Sequence, residues 1–131
     1  MPDTKENQEV YPQQASLPQG LGFPICRAVG IISLYTGTII DAAVSPYQGK
    51  GASEQVLLRS MLHNFKKGDI ILADAFYSTY YFLNFVIKNA IDIVMVQNGA
   101  RAQKTDFTKG DILGKKDHLI TLKKPLKNQT G

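Results

Sequence analysis

The sequence predicts an α/β fold built around a mixed sheet, and three observations carry that prediction. Ile70 to Ala73 is a continuous apolar run opened by the turn pair Gly68-Asp69 and closed by Asp74. A short run of this kind, bounded by turn residues, reads as a buried strand. From Thr79 to Asn89, Phe82, Leu83, Val86 and Ile87 recur at helical spacing, and Ile91 to Val96 is a second buried run closed by Asn98-Gly99. Strand, helix, strand in that order is a βαβ unit, with its two strands parallel, adjacent and joined by a right-handed crossover. The third observation lies upstream, where a β-rich hairpin precedes an amphipathic helix.

That hairpin runs from Arg27 to Val44. Arg27 to Tyr35 places Val29 and Ile31 on one face and Ile32 and Leu34 on the other, so both faces are expected to be covered. Thr36-Gly37 marks a tight turn, and Thr38 to Val44 is the returning strand, with Asp41 expected to face solvent or an edge. After the Pro/Gly loop of residues 46–51, Ser53 is a good N-cap and Glu54 suits the positive end of the helix dipole. Leu57, Leu58, Met61, Leu62 and Phe65 then form a core-facing stripe, ended by Lys66-Lys67 and Gly68. His63 falls beside the stripe as a boundary residue without an evident catalytic partner. Ser78 and Thr79 are both candidate caps for the next helix, and Tyr77, Tyr80 and Tyr81 cluster at its start for packing on the sheet or stacking on a base.

The ends differ in texture. Residues 1–22 are rich in Pro, Gln and Glu without sustained periodicity, and read as an irregular lead-in. Beyond Gly99, Lys104 to Phe107, Gly110 to Leu113 and His118 to Leu122 read as short strands joined by Lys-, Gly- and Asp-containing turns, before a frayed tail from Pro125. The chain of 131 residues is thus expected to comprise the lead-in 1–22, a core 23–98 and a basic β addition 99–131.

Composition narrows the chemistry. Cys26 is the sole cysteine and the two histidines stand far apart, which excludes an internal disulfide and a zinc cluster. Any metal would have to be a hard, oxygen-ligated cation. No apolar run approaches membrane-spanning length and the first residues lack a signal-peptide core, so a cytoplasmic location and no membrane partner are expected. Of the net charge of +4, residues 1–97 hold seven basic against eight acidic residues, whereas 98–131 hold eight against three. A basic segment on an otherwise neutral domain points to nucleic acid phosphates, or to a solvated lysine-rich hairpin. Gly20-Leu21-Gly22 follows no strand and lacks a third glycine, so it is not a dinucleotide loop. Asp74, at the end of a buried strand, stands where α/β folds collect ligands and catalytic groups; the plainer alternative is that it caps the following loop.

Several spaced motifs together resemble one family. Gly22-Phe23-Pro24-x-x-Arg27, the hairpin turning at Thr36-Gly37, Ser45-Pro46-Tyr47 with Ser53-Glu54, and Gly68 to Asp74 are similar, in order, to the catalytic domain of bacterial insertion-sequence transposases of the D-D-E type. More narrowly, they resemble the class with a β insertion and a Tyr-Arg-Glu-Lys signature. The resemblance spans roughly Asp3 to Lys124. It implies a ribonuclease-H-like mixed sheet, incomplete in that the first strand and last catalytic helix are missing, with a small β insertion at the C-terminal end. It matches Asp74 to the second of three catalytic carboxylates, which in the family hold two Mg²⁺ ions for cutting and joining DNA. It also places the basic insertion along the DNA of transposon ends, with Arg101, Lys104, Lys109, Lys115 and Lys116 as phosphate contacts.

Two departures accompany the match. The Asp-Gly-Thr-like strand that carries the first carboxylate is expected before residue 1, and Asp3 matches a later, non-catalytic position. The last carboxylate is a glutamate downstream of the insertion, and no glutamate follows Glu54. A truncated transposase, inactive alone, is therefore the leading expectation. The alternatives are a DNA-binding or transposase-pairing module without catalysis, and a small α/β domain of another ligand. Because the family's first strand lies mid-sheet, its loss is expected to leave an apolar edge that favours oligomers.

Overall fold

The computed structural model describes residues 1–97, 99, 103, 106, 108–114 and 117–122. It is a mixed α/β structure whose described strands form two-stranded sheets, and it divides into two compact units, Met1–Phe65 and Lys66–Gly131.

In the first unit the lead-in is more ordered than its composition suggests. Helix α1 (Lys5–Val10) forms there, with the Thr4 hydroxyl accepting from Asn7 N and Glu6 in the first turn. Two glutamines then organise the chain up to Gly22. The Gln8 side chain donates to Gly22 O and accepts from Gln13 N, and the Gln13 side-chain Oε1 accepts from Gly20 N and Gly22 N. Side-chain amides that donate and accept at once can replace a ladder where no periodicity exists, which is why hydrophobic pattern alone missed this segment.

Strands β1 (Cys26–Ile32) and β2 (Ile39–Pro46) pair antiparallel, with a bulge between Ile31 and Ile32. The loop is longer than the two-residue turn expected. Ser33 and Thr38 close it through Ser33 N to Thr38 O, and Gly37, at φ 69°, takes the left-handed conformation that returns the chain. Helix α2 (Glu54–Ser60), capped by the Ser53 hydroxyl on Val56 N, packs across both strands. It is shorter than its stripe predicts, because the chain tightens into a 3₁₀ turn at Leu62–Asn64. The stripe still holds: Leu57, Leu58, Met61 and Leu62 are buried with Ile31. Only this helix-side face of the hairpin is covered. Ala28, Gly30, Ile32, Ile39, Ala42 and Val44 on the opposite face are exposed, contrary to the expectation of two covered faces.

The second unit bears out the strand–helix–strand order and the parallel pairing. It does not bear out the full burial expected of its strands, since Ile70, Leu72, Val94 and Val96 are exposed on the face that the helix does not cover. Strand β3 (Ile70–Ala73) and strand β4 (Asp92–Met95) pair in parallel, in the register Ile70 to Asp92 through Ala73 to Met95. Helix α3 (Tyr80–Lys88) connects them and lies against β4; of the two candidate caps, Thr79 is the one used, accepting from Phe82 N. Ser78 is instead buried beneath the connection. The helix ends on a feature that Asn89 alone did not suggest. Ala90 adopts φ 52°, Ile91 N donates to Val86 O, and Ala90 N donates to Ile87 O. This pair of bonds is a Schellman ending, with its accompanying apolar contact supplied by buried Val86 and Ile91. Val86 is only 1% exposed, so the helix stop and the unit's core are one structure. Gly68 N donates to Ala90 O and Asp92 N to Asp69 O, which ties the entrances of the two parallel strands together.

In the basic addition, β5 (Asp111–Gly114) and β6 (Asp117–Leu119) form an antiparallel hairpin. The strand expected at Lys104 to Phe107 falls largely outside the described residues, and Asp106 within it is not in a strand.

Alanine at a left-handed position carries a steric cost of about 1 kcal/mol that glycine lacks. Ala90→Gly is therefore expected to raise stability by roughly 0.5 kcal/mol after the flexibility gained by the unfolded chain is deducted. Urea denaturation followed by circular dichroism would show a higher midpoint at unchanged slope.

Candidate functional site

Asp74 follows β3 directly, at the carboxyl end of the parallel pair, because the apolar run that makes the strand stops there. Its backbone is extended, and its Oδ1 accepts a 2.8 Å bond from Phe76 N, capping the 3₁₀ turn Ala75–Tyr77. Both readings of this residue thus meet in one place, since the carboxylate stands at the strand end and also serves as a local cap. The cap engages one of the two carboxylate oxygens. Among the described residues, however, no group of three or more His, Cys, Asp or Glu side chains is close enough to hold a metal ion.

Of the five basic positions expected along DNA, Lys109 is described, while Arg101, Lys104, Lys115 and Lys116 lie outside the described residues. The exposed Lys109 ammonium is 3.4 Å from Asp106 Oδ2. Asp106 also accepts from the Thr108 hydroxyl and from Thr108 N. These bonds, the hydroxyl first, hold the Asp106 carboxyl below the usual aspartate range, with Lys109 contributing less. Lys109 therefore belongs to a formed turn, and a phosphate would compete with Asp106 for it.

Two polar groupings in the first unit were not legible as sites in the sequence. In one, the Arg27 guanidinium bonds Glu54 Oε1 at 3.2 Å and lies 5.2 Å from the centre of the Tyr47 ring. Arg27, Tyr47 and Glu54 stand in three separate stretches of the sequence. Their spacing in sequence thus has a packing counterpart: one cation braces β1, the loop after β2 and the first turn of α2. In the other, Asp41 is half-buried on the helix side of the edge strand β2. Asn64 Nδ2 donates to its Oδ2 at 2.6 Å, and Ala42 N donates to its Oδ1. His63, which had no evident partner, has Nε2 3.9 Å from the same Oδ2, while its Nδ1 is 3.1 Å from Ser60 O. The hydrogen-bonded pair links β2 to the 3₁₀ turn after α2. The parity of an irregular strand, shifted by the bulge, is what hid Asp41's direction.

Among the described residues no helix is long and apolar enough to cross a membrane. In comparisons with protein families, curated proteins and solved structures, nothing matches this chain.

Two measurements check the local chemistry. Asp74→Ala is expected to cost about 1 kcal/mol in metal-free buffer, and Asp74→Asn much less, because the amide oxygen still caps Phe76 N. An Asp74 with no structural role would leave both variants as stable as the parent. For Asp106, a depressed folded pKa means that its contribution to the turn is present above the ordinary aspartate pKa and is lost as pH falls through the lowered value. Thr108→Val should move the Asp106 pKa back up towards the ordinary value in a carboxyl-detected NMR titration.

Proposed function

We propose that this chain is a relative of the catalytic domain of bacterial insertion-sequence D-D-E transposases, one that binds DNA but does not cut it alone. The observation that carries this reading is the position of Asp74, directly after β3 at the carboxyl end of a parallel βαβ unit. A phosphodiester-transfer enzyme of the resembled type needs a carboxylate at that point in the chain. Catalysis by such an enzyme takes three carboxylates and two magnesium ions, and Asp74 is the one matching position here. A single carboxylate engaged as a cap holds magnesium weakly. The chain's contribution is then binding: the basic excess of residues 98–131 supplies phosphate contacts, and a second chain or a full-length transposase would complete the chemistry.

The family reading is tested by translating the DNA on both sides of the coding segment. An Asp-Gly-Thr-like strand upstream and a Tyr-Arg-Glu-Lys-like helix downstream would support it; unrelated flanks would remove it and leave Asp74 a structural cap. Binding is tested separately by gel shift on linear duplex DNA. Salt-sensitive binding is expected, and Lys115→Ala with Lys116→Ala should flatten the slope of log affinity against log salt by about 2. No DNA cleavage should follow from adding Mg²⁺. Absence of any DNA binding at low salt would reject the binding role.

A further inference from the structure

The turn of residues 106–109 holds an anion that belongs to the chain itself. The Asp106 Oδ1 accepts from Thr108 N at 3.0 Å and from the Thr108 hydroxyl. Its Oδ2 lies 3.4 Å from the Lys109 ammonium. A backbone N–H, a hydroxyl and an ammonium are also the groups that hold phosphates of nucleic acids. The turn closes through Lys109 N, which donates to Asp106 O, and Gly110 fixes it to the β5–β6 hairpin. At φ 149°, Gly110 lies so close to Leu119 O that a Cβ would not fit between them.

We propose that Asp106 is a built-in competitor for DNA, occupying donors that a DNA phosphate would otherwise take and so lowering the chain's affinity. The inference rests on the DNA-binding reading above and adds a regulatory contact to it. Residues 98–131 hold eight basic residues against three acidic ones, and one of those three sits on a lysine. A phosphate that displaces Asp106 gains the Lys109 ammonium and the Thr108 donors together, as charge-assisted bonds.

Exposure sets the size of the effect. The Lys109 side chain is 84% exposed and that of Asp106 47%, so their ion pair is weak and opens without disturbing packed residues. The contact therefore tunes binding and does not block it. The Thr108 hydroxyl and N–H hold the Asp106 carboxyl below the usual aspartate range, which keeps the competitor charged throughout the neutral range.

Gel shift on linear duplex DNA at a series of salt concentrations tests this with Asp106→Asn. Asparagine keeps a side-chain oxygen for Thr108 and so keeps the turn, but it no longer pairs with Lys109. Binding should tighten about three- to tenfold, and the slope of log affinity against log salt should steepen by about 1, as for one more phosphate neutralised. Asp111→Asn makes the same charge change nearby and measures plain repulsion; its effect should be smaller. In a Lys109→Gln background, Asp106→Asn should do no more than Asp111→Asn does. Equal effects of the two asparagine variants, or an Asp106→Asn gain that persists without Lys109, would overturn the proposal. A parent that binds DNA while Asp106→Asn changes nothing removes this inference alone. A parent without DNA affinity at low salt removes the binding reading and the inference with it.

Discussion

Each described sheet has only two strands, so every described strand is an edge strand with a single ladder of backbone bonds. That constraint governs the rest of the structure. A two-stranded ribbon is marginal in water and needs a packed face to persist. For two of the three described ribbons, one in each unit, a helix supplies that face. Helix α2 buries Leu57 and Leu58 over the β1–β2 hairpin, and α3 buries Phe82 and Val86 beside β4. The burial is reinforced where helix and strand are joined in sequence, since Val86 and Ile91 are at once core residues and the apolar partners of the helix ending.

Polar side chains do the positioning that apolar burial cannot, because hydrophobic contact has no direction. Arg27 reaches both Glu54 and the Tyr47 ring, which fixes the first turn of α2 against the start of β1. Asp41 and Asn64 do the same at the other end of the helix segment. Drawing both charges of the hairpin to the helix side leaves the opposite side without any. The braces and the bare, uncharged face are therefore two consequences of one arrangement.

Asp74 illustrates how far a strand-end carboxylate can be read. Its location, at the carboxyl end of a parallel strand pair, follows from the strand, and the proposed function rests on that location. Its contact in the structure is a cap on Phe76 N, which any aspartate in that turn could make. Location supports the family reading, whereas chemistry depends on further carboxylates being brought within a few ångströms, and the described residues do not bring them.

The sequence by itself determined the elements whose signals are local and redundant. The βαβ unit, the Ser53 cap and the buried stripe of α2 were all legible, because periodicity and capping act within a few residues, whereas the choice of Thr79 over Ser78 was left to the fold. Only the tertiary structure decided the rest. The glutamine-bonded lead-in with α1 has no periodicity to read, and the left-handed Ala90 carries none of the usual glycine signal. The inward turn of Asp41 depends on a strand bulge and on Asn64, twenty-three residues away. Which face of an apolar hairpin is covered is likewise a property of the one helix that packs on it, and apolar residues on both faces look alike until that helix has docked.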